Sequence, residues 1–145
     1  MTPVKDVEVL LVEDDPGDVE LIREGLINAK IFLNLHVTND GIEAMKYLKR
    51  EGPYSDASKP ALIILDLNLP KKDGRDVLRE IKNDAQLRSI PVVVFTTSAS
   101  EEDFTRCYSL GANCCITKPI GLEEFIKIVK SIKEFWVTIV KLPAA

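Results

Sequence analysis

The sequence predicts an α/β fold in which a parallel sheet is covered by helices on both faces. Short apolar runs alternate with segments whose apolar residues recur at helical spacing, which is the pattern of repeated βα units. The run Ala61–Leu65 contains only apolar residues between Pro60 and Asp66, which is typical of a strand buried on both faces. A carboxylate at the end of such a strand lies where open α/β sheets bind ligands, so Asp66 is a candidate functional residue.

The composition predicts one soluble domain over residues 1–145. The chain is 46% hydrophobic and 29% charged, which is ordinary for a globular protein of this length. A net charge of -4 without a Lys/Arg cluster argues against nucleic-acid binding. The apolar runs are far shorter than the roughly 20 residues that cross a bilayer, and no signal peptide is evident. Cys107, Cys114 and Cys115 lack CxxC spacing, and we expect them to be core residues of a cytoplasmic protein.

Each predicted strand leads into a predicted helix. The strands are Val7–Val12, Leu33–Val37, the run that ends at Asp66, Val92–Phe95 and Cys114–Thr117. Five helices are predicted. The first starts at Asp15-Pro16, and the other four are Gly41–Leu48, a helix near Arg75–Lys82, a helix near Ser100–Leu110, and one from Gly121 to about Trp136. We expect the first helix to bury Val19, Leu21, Ile22 and Leu26, and Gly111 to close the fourth helix in a left-handed conformation.

Four of the five predicted strands end at polar residues: Glu13 with Asp14, then Asp66, Thr96 and Lys118. The carboxyl ends of parallel strands lie at one edge of a sheet, so these residues should converge. Clustered carboxylates repel each other unless a cation lies among them, and oxygen ligands suit Mg²⁺. Lys118 would add a positive charge and Thr96 a hydroxyl donor. A metal, a carboxylate nucleophile, a charge and a donor are the groups needed to move a phosphoryl group onto a carboxylate.

Four motifs, in this order and spacing, resemble the receiver domain of two-component response regulators: VEDD, ILDLNLPKKDG, FTTS and TKP. The resemblance covers nearly the whole chain. It implies a flavodoxin-like (βα)5 fold with strand order 2-1-3-4-5, in which the first and third strands are neighbours. That order would place Glu13 and Asp14 beside Asp66.

The resemblance also implies roles for the acidic residues. Asp66 would accept a phosphoryl group from a phosphohistidine of a sensor histidine kinase. Asp14 would bind Mg²⁺ directly, Glu13 largely through water, and Asn68 through its backbone carbonyl. The chain would catalyse its own phosphorylation and dephosphorylation while acting as a signalling protein rather than as an enzyme.

Thr96 and Lys118 would form the switch pair that contacts phosphorylated Asp66, and the bond from Lys118 to Pro119 would be cis. Thr97 and Ser98 are alternatives to Thr96, but the spacing from Pro91 and from Asp66 favours Thr96, with Thr97 as the next choice. Many receivers carry Tyr or Phe three residues before the lysine, where this chain has Cys115. We therefore expect no aromatic rotamer switch, and what replaces it stays open.

Three other polar positions have ordinary structural readings beside functional ones. Asp15 is either a further metal ligand or an N-cap, and the following Pro16 favours the N-cap. His36, the single histidine, has no metal-type spacing and is expected to be structural or solvated. Asp40-Gly41 is most simply a turn.

The predicted last helix carries apolar residues over about half of its surface, and no output domain is expected after it. Its C-terminal extension could fold back on its own domain. Alternatively, the face with Ile128, Phe135, Trp136 and Ile139 could form a homodimer with the fourth helix or contact the kinase. The 51–60 loop and the FW…KLP tail are similar to those of single-domain regulators that serve cyanobacterial and bacterial phytochrome kinases.

Two other functions would also be compatible with an acid at the end of a buried strand. A receiver-like module that binds or dimerises without phosphorylation is disfavoured because the acids, Thr96 and Lys118 are all present. A phosphatase with an aspartate nucleophile would carry a second acid two residues after Asp66, where this chain has Asn68.

Overall fold

The computed structural model describes residues 7–28, 33–96, 101–117 and 127. Its five strands are β1 (Val7–Val12), β2 (Leu33–Thr38), β3 (Leu62–Asp66), β4 (Val92–Thr96) and β5 (Cys114–Thr117). They form one parallel sheet in the order β2-β1-β3-β4-β5. The predicted α/β class and strand order are confirmed.

The described helices follow the strands in alternation. They are α1 (Pro16–Asn28), α2 (Gly41–Leu48), α3 (Gly74–Asn83) and α4 (Glu101–Ser109), and a short 3-10 helix (Gly52–Tyr54) lies in the predicted 51–60 loop. Apart from Lys127, the predicted fifth helix lies outside the described residues, as do Lys118, Pro119 and the residues of the predicted dimer face. No helix in the described part of the chain is both long enough and apolar enough to cross a bilayer.

Hydrophobic cores lie on both faces of the sheet, which explains the uninterrupted apolar run of β3. One core joins Leu10, Ile63 and Leu65 to residues of α2 and α3. The other joins Leu11 and Ile64 to α1. Successive residues of a strand point to opposite faces, so a strand covered on both sides needs apolar residues at every position.

The start of α1 agrees with the sequence, but one of its predicted core residues does not. Asp15 Oδ1 accepts a hydrogen bond of 2.8 Å from the Gly17 N–H, so Asp15 caps the helix. Leu21 was predicted to be buried, and this is wrong, because 51% of its surface is exposed. It precedes the buried Ile22 by one residue, which turns it about 100° around the helix and away from the core.

Gly111 ends α4 with a positive φ of 104°, as predicted. The Gly111 N–H donates to the Tyr108 carbonyl and the Ala112 N–H to the Cys107 carbonyl, which is a Schellman arrangement. Cys107 is buried and Cys115 is partly buried, and neither forms a disulfide in the described part of the chain.

Candidate functional site

Three carboxylates meet at the carboxyl end of the sheet. One ligand oxygen from each of Glu13, Asp14 and Asp66 lies within 4.8 Å of the other two. Strands β1 and β3 are adjacent and in register up to Val12 and Leu65, so the residues that follow these two positions reach the same level of the sheet. The structure therefore brings together the three acids that the sequence singled out.

The chain itself orients the Asp66 carboxylate. The Asn68 N–H donates a hydrogen bond of 2.9 Å to Asp66 Oδ1. Leu67, the residue directly after Asp66, continues the pairing with β4, because its N–H donates a hydrogen bond of 2.9 Å to the Phe95 carbonyl. The Gly74 N–H donates to the Leu67 carbonyl at 3.0 Å. The turn after β3 thus closes on itself and fixes the plane of the carboxylate.

The donor set of this cluster fits a hard divalent cation. Glu13 is 1% exposed and Asp66 4% exposed, whereas Asp14 is open to solvent. Buried carboxylates are stable as ions only where partners or a metal offset their charge. An all-oxygen set that is partly open to water suits Mg²⁺ or Mn²⁺ better than zinc, which favours nitrogen and sulfur.

Comparison with known proteins agrees with this geometry. The family model for the response regulator receiver domain matches residues 9–130. The chain belongs to the response regulator receiver family. Response regulator Rcp1 of Synechocystis sp. is 47% identical over 137 residues, which cover 94% of this chain and 93% of Rcp1. The chain is a phosphoryl-accepting response regulator rather than a classical enzyme.

Two solved receiver structures are similar along their whole length. The phosphorylated cyanobacterial phytochrome response regulator RcpA superposes with a TM-score of 0.83 at 49% identity, covering 97% of this chain and 100% of RcpA. The Mn²⁺-bound form of Rcp1 superposes with a TM-score of 0.81 at 46% identity, covering 95% and 99%.

The structure decides between the two readings of Asp15 in this receiver. The cluster that could hold a metal consists of Glu13, Asp14 and Asp66, while Asp15 caps α1. The cap has a geometric cause, because a residue that leads into a helix turns its side chain toward the first free N–H groups.

Thr96 lies at the same edge of the sheet as Asp66, as the last residue of β4. In the register Asp66 pairs with Phe95, so Thr96 lies one residue further toward the edge, opposite Thr117 of β5. Thr97 and Lys118 lie outside the described residues, and the choice between the two threonines stays a prediction.

Sequence reasoning missed a contact at the position where many receivers carry the aromatic residue. The Tyr108 hydroxyl accepts a hydrogen bond of 3.2 Å from the Cys115 N–H and so joins α4 to the edge strand β5. Tyr108 is itself half-exposed. No local pattern marks such a contact, because it depends on how α4 lies against β5.

The reading of Asp40-Gly41 as a turn was also incomplete. Asp40 Oδ1 accepts a hydrogen bond of 2.8 Å from the Glu43 N–H, so Asp40 is the N-cap of α2. Its Oδ2 lies 3.6 Å from Nζ of Lys71, in the loop after Asp66. The spacing of Asp40 and Glu43 matches a capping pattern that could have revealed the cap, but not the contact with Lys71.

His36 lies in a structural contact, as the sequence indicated. Its Nε2 is 2.6 Å from Glu8 Oε2, and its ring centroid is 5.7 Å from that of Tyr47. Glu8 also accepts a hydrogen bond from Asn34, so one carboxylate joins β1 to β2 twice.

An open cavity of about 540 Å³ lies along α3, and its lining contains none of the three acids. Ion pairs occupy this surface: Lys49 Nζ lies 2.8 Å from Glu80 Oε1, and Lys72 contacts the other oxygen. Hydrogen bonds from Lys49 and Lys72 lower the pKa of Glu80. The cavity therefore reflects a charged helix surface and not a phosphoryl site.

Proposed function

We propose that Asp66 accepts a phosphoryl group from a phosphohistidine of a histidine kinase in a Mg²⁺-dependent reaction. The observation that carries the proposal is the convergence of Glu13, Asp14 and Asp66 within 4.8 Å, two of them buried at the ends of neighbouring strands. We propose the three carboxylates and the backbone carbonyl of Asn68 as the metal ligands. The Mn²⁺-bound structure of Rcp1 supports a divalent ion in a closely similar receiver.

In the proposed reaction an oxygen of Asp66 attacks the phosphorus atom of the phosphohistidine. An O–P bond forms as the N–P bond breaks, and the imidazole leaves with the electron pair and takes up a proton. A bound cation would offset the negative charges that meet at this point. The Asn68 N–H keeps the carboxylate plane in place, so little reorganisation is needed before attack. Hydrolysis of the acyl phosphate would return the free carboxylate.

Thr96 and Lys118 are proposed to contact the phosphorylated carboxylate. Support comes from the position of Thr96 at the end of β4 and from the TKP motif after β5. With Cys115 in the aromatic position, the hydrogen bond from its N–H to Tyr108 is a backbone route by which β5 could influence α4.

The partner is proposed to be a phytochrome-type histidine kinase in the cytoplasm. RcpA is a cyanobacterial phytochrome response regulator, and its 49% identity with this chain over nearly the whole length of both supports a partner of the same class. A homodimer through Ile128, Phe135, Trp136 and Ile139 is a further proposal. Sedimentation at micromolar concentration, with and without a phosphoryl mimic, tests it, and a monomer under both conditions would exclude it.

Asp66→Asn is the central test of the phosphoacceptor. The variant keeps the size of the side chain and an oxygen that can accept the Asn68 N–H, but it removes the nucleophile. We expect no Mg²⁺-dependent labelling by acetyl phosphate or by the kinase. Asp15→Asn is the matched control, because it neutralises a neighbouring acid while asparagine remains a good N-cap. Undiminished labelling of the Asp66→Asn protein would refute the assignment.

A second test addresses the metal ligands. Asp14→Asn should weaken Mg²⁺ binding about tenfold, since a neutral amide oxygen attracts a hard cation less than a carboxylate does. Titration calorimetry measures the affinity, with Asp15→Asn again as the control. Equal affinities of the Asp14→Asn protein and wild type would remove Asp14 from the ligand set.

A further inference from the structure

The loop that follows Asp66 has a strained tip. Lys71 has a φ of 67°, and the Lys72 N–H donates to the Pro70 carbonyl at 2.7 Å across it. This is a γ-turn with a non-glycine residue in the left-handed region, a conformation that persists only where the surrounding structure holds it. The contacts of Lys71 and Lys72 therefore show what holds the loop.

The backbone of Lys72 lies directly on Gly41, the first residue of α2. A Cβ atom at position 41 would lie 2.7 Å from Lys72 Cβ and 2.9 Å from Val77 Cγ2, and closer still to the Lys72 carbonyl oxygen. Real Cβ atoms do not approach other atoms this closely, and a carbonyl oxygen cannot rotate aside as a side chain can. The loop keeps its place only because residue 41 has no side chain.

The chain segment that joins β2 to α2 also contacts Glu13, the residue after β1. The Thr38 carbonyl accepts the Glu13 N–H at 3.0 Å, while Asp40 is 3.6 Å from Lys71 and caps α2. Residues 38–41, which we call the β2–α2 connection, thus touch both chain segments that supply the carboxylate cluster. One side holds the segment with Glu13, and the other holds the loop after Asp66.

We propose that Gly41 is a positioning residue of the acceptor site. The ends of the loop are fixed by β3 and by the hydrogen bond from the Gly74 N–H to the Leu67 carbonyl. If Lys72 is displaced, the backbone between these two ends must therefore move. That part of the loop contains Asn68, whose N–H donates a hydrogen bond to Asp66 Oδ1. By excluding a side chain at position 41, the β2–α2 connection sets the position of Asn68 relative to Asp66. The part of this inference that concerns the metal rests on the proposed function.

Gly41→Ala tests the proposal with two measurements on the full chain. Hydrogen exchange of the Asn68 amide in the metal-free protein reports the hydrogen bond to Asp66, and we expect exchange to become about tenfold faster. Mn²⁺ binding, followed by the loss of the free-ion paramagnetic resonance signal, should weaken about tenfold, as for other changes behind metal ligands.

The control separates local displacement from general loss of stability. Ile22→Val and Leu26→Ala lie in the core on the α1 side, remote from the loop. Of these two variants, the control is the one whose urea unfolding midpoint is nearer to that of Gly41→Ala. This control should keep the wild-type exchange rate of the Asn68 amide and the wild-type Mn²⁺ affinity. If Gly41→Ala has the same exchange rate and affinity as this control, the positioning role is wrong.

Two further outcomes remain decisive. Should Gly41→Ala not fold, Lys71→Gly is added, because glycine adopts the positive φ without strain and lets the loop move away from the methyl group. The double variant should fold and show fast exchange of the Asn68 amide, whereas the Lys71→Gly single variant should keep slow exchange. Slow exchange in both variants would overturn the proposal. If wild type itself fails to bind Mn²⁺, the proposed metal site is refuted, while the Asn68 comparison still judges Gly41.

Discussion

Thr38 offers a quantitative test of the packing at the carboxyl end of the sheet. Its side chain is 3% exposed, and within the described part of the chain its hydroxyl oxygen has no hydrogen-bond partner. A buried hydroxyl without a partner costs about 1–3 kcal/mol, because folding removes it from water without replacement. Thr38→Val exchanges the hydroxyl for a methyl group of similar shape and keeps the β-branched side chain that strands favour. We expect the variant to be more stable than wild type.

The expected gain is about 1 kcal/mol in the free energy of unfolding, the lower end of that range, since the methyl group fits the space only approximately. For a chain of 145 residues, the entropy of unfolding is about 0.3 kcal/mol/K. The melting temperature should therefore rise by about 3 °C.

Thermal unfolding by circular dichroism and urea unfolding measure the two quantities. Thr38→Ser is the matched control, because it keeps the hydroxyl and loses the methyl group, and it should cost about 1 kcal/mol. A Thr38→Val protein that is less stable than wild type by 1 kcal/mol or so would show that the hydroxyl is satisfied, and the reasoning would fail.

Two further predictions concern contacts away from the acids. The Tyr54 hydroxyl donates to Glu43 Oε2 at 2.7 Å, which together with burial raises the pKa of Tyr54 to about 12. This contact should therefore stabilise the fold fully below pH 10, and its contribution should disappear as the pH rises through 12. At neutral pH the free energy of unfolding of Tyr54→Phe should be about 1–2 kcal/mol lower than that of wild type. Urea unfolding at alkaline pH should show that this difference has disappeared. Gly111→Ala should cost about 1–2 kcal/mol, because φ is 104° and a Cβ would lie 2.8 Å from Lys82 Cγ. An unchanged urea midpoint would contradict the left-handed cap.

Local patterns in the sequence were sufficient for much of the fold. The apolar run before Asp66 predicted a strand covered on both faces, and all five residues of β3 are buried. Asp15-Pro16 predicted the start of α1, and Gly111 predicted the end of α4. These signals are reliable because strand burial, capping and positive φ depend on residues within a few positions of each other.

The failure at Leu21 has a physical reason. The residue is apolar and adjacent to Ile22, and composition alone does not say which side of a helix meets the sheet. That choice depends on how α1 packs against Leu11 and Ile64, which are distant in sequence. Periodicity defines a stripe with an uncertainty of about one residue, and one residue is about 100° of rotation.

In the candidate site, too, some features follow from local sequence and others from the tertiary structure. The sequence by itself determined which side chains lie at the strand ends, because a polar residue directly after an apolar run marks the edge of a parallel sheet. Only the tertiary structure decided that Asp40 contacts Lys71 and that Gly41 supports the loop after Asp66. These contacts join segments that are far apart in the sequence and are brought together by strand pairing, so their geometry depends on register and on distances of a few ångströms that no local pattern encodes.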